Sequence, residues 1–160
     1  METVTHAFGS ISVTVSRMFG AVLGQEPDID PPGKIFVTGA TGVLGSRVVK
    51  NLLDHGHKDI RLGKCTSSNP EMMDRFREKG VELVNFSWGE EVTYADALKD
   101  VSAVFCVLPY TKNWQAHFPE FLHACKSANV KHFVKISFYH STSSGDAFQK
   151  VPLVSLHGVS

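Results

Sequence analysis

"KIFVTGATGVLGSRVVKNLL", residues 34–53, decides how the rest of the chain is read. An apolar, partly β-branched run leads into three glycines at every third position, Gly39, Gly42 and Gly45. An amphipathic stretch follows, with Leu44, Val48, Val49, Leu52 and Leu53 on one face and Arg47, Lys50, Asn51 and Asp54 opposite. Strand, glycine turn and helix, in that order, form the context that gives such glycines a meaning. The first lets the chain turn sharply out of the strand. The second removes a Cβ where a ligand approaches the backbone, and the third lets the helix pack closely on the sheet. The helix N-terminus then offers unpaired N–H groups and roughly half a positive charge, which suits a pyrophosphate. A turn that merely favours glycine accounts for one such residue, not for three at matched spacing. No Gly-Lys-Ser/Thr follows, so this is not the phosphate loop of nucleoside triphosphatases.

Downstream, strand and helix patterns alternate. KDIRLGK (58–64) reads as a second strand, and NPEMMDRFREKG (69–80) as a helix that starts Asn-Pro and stops at Gly. VELVNF (81–86) is strand three, TYADALKD (93–100) a short helix and VSAVFCVLP (101–109) strand four. The next helix carries Trp114, Phe118, Phe121, Leu122 and Cys125 along one stripe, with Pro119 either kinking it or marking its start. KHFVKIS (131–137) is strand five. This alternation predicts an α/β fold: a doubly wound, Rossmann-like parallel sheet of about five strands in order 3-2-1-4-5, helices on both faces.

The 160 residues suffice for one domain, placed at 34–160, with 1–33 as a flexible N-terminal extension and linker. QEPDIDPPG (25–33) opposes regular structure through its prolines and alternating acids. Residues 1–24 are rich in Ser and Thr, as an organellar leader is, but carry only Arg17 where a leader has several basic residues. A flexible extension or docking arm is the preferred reading. Hydrophobic residues make up 42% and charged residues 20%, the proportions of a globular chain. Lys+Arg and Asp+Glu balance at 16 each, so no overall field draws nucleic acid, and no apolar run is long enough for a membrane span. Cys65, Cys106 and Cys125 are odd in number and lack C-x-x-C spacing, which fits a reducing, cytoplasmic setting and neither a disulfide framework nor a zinc site. His55 and His57 flank Gly56 at a helix end, where a basic group suits the dipole better than a metal.

The loop TGATGVLG, with its Gly-x-x-Gly-x-x-Gly spacing, resembles that of the extended and atypical short-chain dehydrogenases, and the NmrA-like branch is the nearer match. ADALKDVSAVFCVLP (95–109), ACKSANVKHFVKIS (124–137) and VPLVSLHG (151–158) extend the resemblance over about residues 34–157. It implies a dinucleotide held by Gly39, Thr41, Gly42, Val43, Leu44 and Gly45 around the pyrophosphate. Val107, Leu108 and Pro109, with Tyr110 nearby, pass under the ribose–nicotinamide link. Asn85, Phe86 and Ser87 follow strand three where relatives contact adenine, Ser87 standing where many have an Asp. The end of strand two chooses the cofactor: an acid binds the ribose hydroxyls of NAD, a cation the extra phosphate of NADP. RLGKCTSS (61–68) has no acid, two cations in Arg61 and Lys64, and hydroxyls at Thr66 and Ser67. NADP is therefore expected over NAD, although Cys65 occupies the family's usual Arg position and Arg61 falls within the strand. One Lys contact supports a preference of about tenfold.

Active short-chain enzymes pair a catalytic Tyr with a Lys four residues on and a Ser at the end of strand five. Here Tyr94, Tyr110 and Tyr139 are followed at that offset by Leu98, Trp114 and Ser143. Ser137 occupies the strand-five end, within reach of both the catalytic and the cofactor roles. His157 stands where NmrA-like proteins often replace the Tyr. The family pattern continues beyond Ser160 with a further strand and a small substrate domain, so this chain reads as a domain incomplete on its C-terminal side. Three functions follow: a cofactor-sensing or regulatory protein that reports NADP(H) to a protein partner; an atypical NADPH-dependent reductase of a small carbonyl or quinone-like substrate, using Ser137, Tyr139 and His157; or a truncated fragment whose open edge requires a partner chain or homo-oligomer.

Overall fold

The computed structural model describes residues 33–109 and 113–136. Lys34–Val37 (β1) runs into Val43–Asp54 (α1), then Ile60–Lys64 (β2), Pro70–Glu78 (α2), Glu82–Asn85 (β3), Val92–Leu98 (α3), Val101–Cys106 (β4), Trp114–Ser127 (α4) and His132–Lys135 (β5). The strands form one five-stranded sheet in the order β3-β2-β1-β4-β5, every pairing parallel. This is the doubly wound topology expected from the alternation of patterns. The expectations for residues 1–32 lie outside the described residues, as do Tyr110, Ser137, Tyr139, His157 and the side chain of Trp114.

The central strand shows why the two faces differ. Val37 joins Val49 of α1, Ile60 and Leu62 of β2, and Met73 and Phe76 of α2 in one aliphatic core, with Leu52 and Leu53 packed against it. The α1 face read from the sequence is thus the buried one. Phe36, one residue earlier than Val37 and so on the opposite face, lies in an aromatic core. Its ring centroid is 5.3 Å from Phe86 and 6.4 Å from Phe121, and Phe121 in turn sits 5.3 Å from Tyr94 and 6.2 Å from Phe133. Each large buried aromatic contributes roughly 1.5–3 kcal/mol relative to exposure.

The helix ends follow the local punctuation. Asn69 caps α2 through its Oδ1, which accepts from Met72 N at 2.9 Å, and Pro70 opens the first turn. At the end of α1, His55 donates from Nδ1 to the Asn51 carbonyl at 2.8 Å, the helix-end role expected of it. Two details differ from the sequence reading. Phe118, Phe121 and Cys125 of α4 are buried, but Leu122 is 37% exposed, because it falls at the margin of the stripe that the other three define. Pro119 neither opens α4 nor ends it; the helix begins at Trp114 and runs through.

Arg61 is the charged exception in the buried run of β2, with only 4% of its surface exposed. Its Nη1 donates to the carbonyls of Asp96 (3.1 Å), Ala97 (3.1 Å) and Lys99 (2.6 Å), which end α3 with no intrahelical partners of their own. Its Nη2 pairs with Glu82 Oε1 at 2.9 Å, and Lys34 Nζ reaches Glu82 Oε2 at 2.6 Å. Nε is buried without a partner among the described residues. The guanidinium therefore ties β2, β3 and α3 together.

Arg61, by hydrogen bonding, holds the Glu82 carboxyl below its ordinary 4.5, with Lys34 assisting and burial opposing. A carboxylate with a depressed pKa stabilises the fold above its unfolded pKa, and that contribution disappears as pH falls through the folded value. Glu82→Gln is expected to cost about 1 kcal/mol at neutral pH, a charged hydrogen bond discounted because Glu82 is half-exposed. In urea titrations of both proteins the gap should be full above 4.5 and close below it.

Candidate functional site

The sheet reverses its winding between β1 and β4, and the crevice above their carboxyl ends is where doubly wound sheets hold ligands. Gly39 leaves β1 with φ of +61°, in the left-handed region, and a Cβ added there would lie 3.1 Å from Val107 Cβ. The loop then closes tightly, Gly42 N donating to the Gly39 carbonyl at 3.0 Å. Gly45 faces the same carbonyl from the first turn of α1. A Cβ on it would stand 2.1 Å from Gly39 O, which no side chain tolerates. The third glycine thus does what its spacing predicts, letting helix and strand approach to backbone contact.

Gly42 is the N-cap of α1 and supplies no side-chain cap, and no acidic residue lies in the first turn. The amides at the start of the helix are therefore left to an external acceptor, with the positive end of the helix behind them. Val43 is exposed and Leu44 half-buried beside this opening.

Thr38, which the sequence reading passed over, binds the two sides of the crevice together. It is fully buried, its Oγ1 accepts from Val107 N at 2.8 Å and donates to Val107 O at 3.0 Å, and its own amide reaches the Phe105 carbonyl at 3.0 Å. Both backbone groups of Val107 are fixed as a result. The signal available in the sequence was a hydroxyl residue ending a buried strand directly before glycine. Beyond Val107, Leu108 is buried and Pro109 half-buried.

At the end of β2, Lys64, Cys65 and Thr66 are all exposed, and Lys64 makes no ion pair among the described residues. Arg61 does not join them. Its guanidinium is committed to the α3 carbonyls and Glu82, which removes one of the two cations expected near an extra phosphate. Cys65 Sγ lies 3.1 Å from Ser67 Oγ and 3.4 Å from Ser68 Oγ. Burial alone would push this thiol up, but hydrogen bonds from the Ser67 and Ser68 side chains and backbone outweigh it, and its pKa falls below the usual value.

After β3, Asn85 is exposed, whereas Phe86 is buried among Phe36, Trp88, Tyr94 and Phe121. The Phe86 ring is thus taken up by the aromatic core rather than left exposed beside Asn85. Ser87 remains half-buried, its amide donating to Thr93 Oγ1 at 3.2 Å and its carbonyl accepting from Glu90 N at 3.2 Å. A separate cleft of about 370 Å³ opens between α3 and α4 beside Glu91, Tyr94, Glu120 and His123, and no glycine-loop residue lines it. Among the described residues no His, Cys, Asp and Glu cluster is arranged for a metal, and no helix is long and apolar enough to cross a membrane.

The sequence pattern of the NmrA-like family matches residues 31–155. A bifunctional pinoresinol-lariciresinol reductase of Linum album is 31% identical over 113 residues, covering 66% of this chain and 35% of that protein. Among solved structures, the triphenylmethane reductase of Citrobacter sp. aligns with a TM-score of 0.66 at 25% identity, over 79% of this chain and 42% of the other. The same reductase complexed with NADP(H) gives a TM-score of 0.66 at 24% identity, over 79% and 43%. The chain spans less than half the length of these relatives.

Gly45→Ala is expected to cost about 3 kcal/mol, since backbone must move to admit the methyl group, while Ser46→Ala stays within about 0.5 kcal/mol. Thermal or urea unfolding of the two variants checks this. With limiting iodoacetamide at neutral pH, mass spectrometry should find Cys65 labelled first, because burial pushes the Cys106 and Cys125 thiols up to about 12.

Proposed function

Since the chain belongs to the NmrA-like family, we propose that it binds a nicotinamide adenine dinucleotide above β1 and β4 and prefers NADPH to NADH. The observation that carries this reading is the approach of Gly45 to Gly39, which aims an uncapped helix N-terminus into the crevice. Gly39, Thr41, Gly42, Val43, Leu44 and Gly45 would enclose the pyrophosphate. Lys64, Cys65 and Thr66 would meet the 2′-phosphate, Ser87 the adenine, and Val107, Leu108 and Pro109 the ribose on the nicotinamide side. Residues 34–160 are then the binding domain and 1–33 an extension to it.

The NADPH preference rests on Lys64 and on the lack of an acid at the end of β2, with Arg61 no longer counted. A single lysine supports about a tenfold preference.

The role we favour is cofactor sensing, with occupancy of the crevice reported to a protein partner. None of Tyr94, Tyr110 and Tyr139 is followed four residues on by a lysine. Tyr94 is also withdrawn into the aromatic core, its hydroxyl accepting from Gly89 N at 2.9 Å. The names of the relatives favour a second reading, in which these residues are the cofactor-binding half of a reductase of a small carbonyl or quinone-like substrate. The dinucleotide would supply the hydride. Ser137, Tyr139 and His157 would hold the substrate oxygen and supply its proton.

Calorimetric titration with NADPH and with NADH, at matched salt, tests the reading. Binding of NADPH about tenfold tighter, with that margin lost in Lys64→Ala, is the expected result. Equal binding of both would remove the preference, and binding of neither by folded protein would remove the function. Consumption of NADPH with a carbonyl or quinone substrate would move the second reading ahead of the first.

A further inference from the structure

The segment joining β2 to α2 is closed on itself. Cys65 N donates to Ser68 Oγ at 3.0 Å, and Ser68 N donates to the Cys65 carbonyl at 3.0 Å. One end is fixed to the sheet, where Phe86 N donates to the Lys64 carbonyl at 2.9 Å. The other end is fixed to α2, through the cap that Asn69 places on its first turn. Among the described residues, a single hydrogen bond joins this bracket to the glycine loop. The Asn69 amide donates to Thr41 Oγ1 at 3.3 Å.

A hydroxyl that accepts on one side keeps its own proton to donate on the other. Thr41 lies between buried Ala40 and the N-cap Gly42, at the mouth of α1, whereas Thr66 lies on the bracket and Lys64 ends β2 just before it. From this geometry we infer that Thr41 couples the two phosphate positions of the dinucleotide. The inference rests on the binding reading given above. The Asn69 amide, the Thr41 hydroxyl and a pyrophosphate oxygen form one chain of donors and acceptors, whose members polarise each other. The same bond holds the segment carrying Thr66 at a set distance from the glycine loop, beside Lys64 that the sheet already fixes, so the 2′-phosphate meets contacts already in place. Thr41 is in this respect a positioning residue, setting the NADPH preference through Asn69 as well as touching the pyrophosphate.

The test titrates NADPH, NADH and 2′-AMP into the wild-type chain and its variants. 2′-AMP is the informative probe, because it carries the 2′-phosphate and no pyrophosphate. Thr41→Val should weaken both dinucleotides, NADPH about fivefold further than NADH, and should weaken 2′-AMP about fivefold. Thr41→Ser, which keeps the hydroxyl, should restore all three. A second pair of variants approaches the bond from its other side. Asn69 has φ of −68°, which proline adopts, so Asn69→Pro removes the amide proton together with the side-chain cap, whereas Asn69→Ala removes the cap alone. The preference should shrink in the proline variant and persist in the alanine variant. An unchanged NADPH-to-NADH ratio and unchanged 2′-AMP binding in Thr41→Val, or equal behaviour of the two Asn69 variants, overturns the coupling while leaving dinucleotide binding intact. Failure of the wild-type chain to bind either dinucleotide overturns the underlying reading and the coupling with it.

Discussion

The approach of α1 to β1 at Gly45 is the constraint on which the rest of the site depends. With a Cβ position 2.1 Å from a carbonyl oxygen, this crossing has room for hydrogen and nothing larger. The helix is pressed onto the strand, and its open end is directed at the crevice rather than past it. Gly39 completes the fit, turning with positive φ against Val107. Thr38 then fixes Val107 by both its amide and its carbonyl. The far side of the crevice is attached more lightly, through Thr41 and Asn69. A ligand seated here would meet one wall of tightly packed backbone and another that, among the described residues, one hydrogen bond joins to the glycine loop.

Most of the architecture was legible because local patterns and global fold agree. Strands β1, β2 and β4 are apolar enough for a sheet covered on both sides, and Asn69, Pro70 and Gly80 mark the limits of α2. The steric roles of Gly39 and Gly45 were legible for the same reason, since the turn out of β1 and the contact of α1 with β1 are local demands. Misreadings occur where a side chain's partners come from distant elements. Arg61 looked like a cation near a phosphate because the pattern places it close to Lys64. Its partners, the last carbonyls of α3, come more than thirty residues later in the chain, with separations of 35, 36 and 38. Phe86 sits just past β3, where a ligand contact was expected, yet packing against Phe36 and Phe121 claims it. Thr38 was missed for the converse reason: a hydroxyl ending a buried strand before glycine is a weak local signal, and its role becomes visible only with Val107 beside it.

The two ends of the sheet divide their work. At the amino ends, Lys34, Arg61 and Glu82 form an ion network, a guanidinium neutralised on one side and filled with carbonyls on the other. Breaking such a buried group from its partners costs far more than forming it gains, so the network reads as a constraint on which helix lies over β2. At the carboxyl ends, among the described residues, polar groups are left open: the first amides of α1, the Lys64 ammonium and the Thr66 hydroxyl. Parallel strands make this division possible, because all the crossover helices start at one edge and finish at the other.

The bond between Thr38 and Val107 also has a kinetic consequence. Its two residues stand 69 positions apart in the sequence, with α1, β2, α2, β3, α3 and β4 between them. The loop entropy of that closure must be met before the bond returns anything, and parallel pairing of this span is slow for the same reason. The motif most visible in the sequence is thus expected to be among the last parts to reach its final shape. While the chain is being synthesised, the glycines emerge early and wait, without a second wall, until β4 has left the ribosome and inserted beside β1.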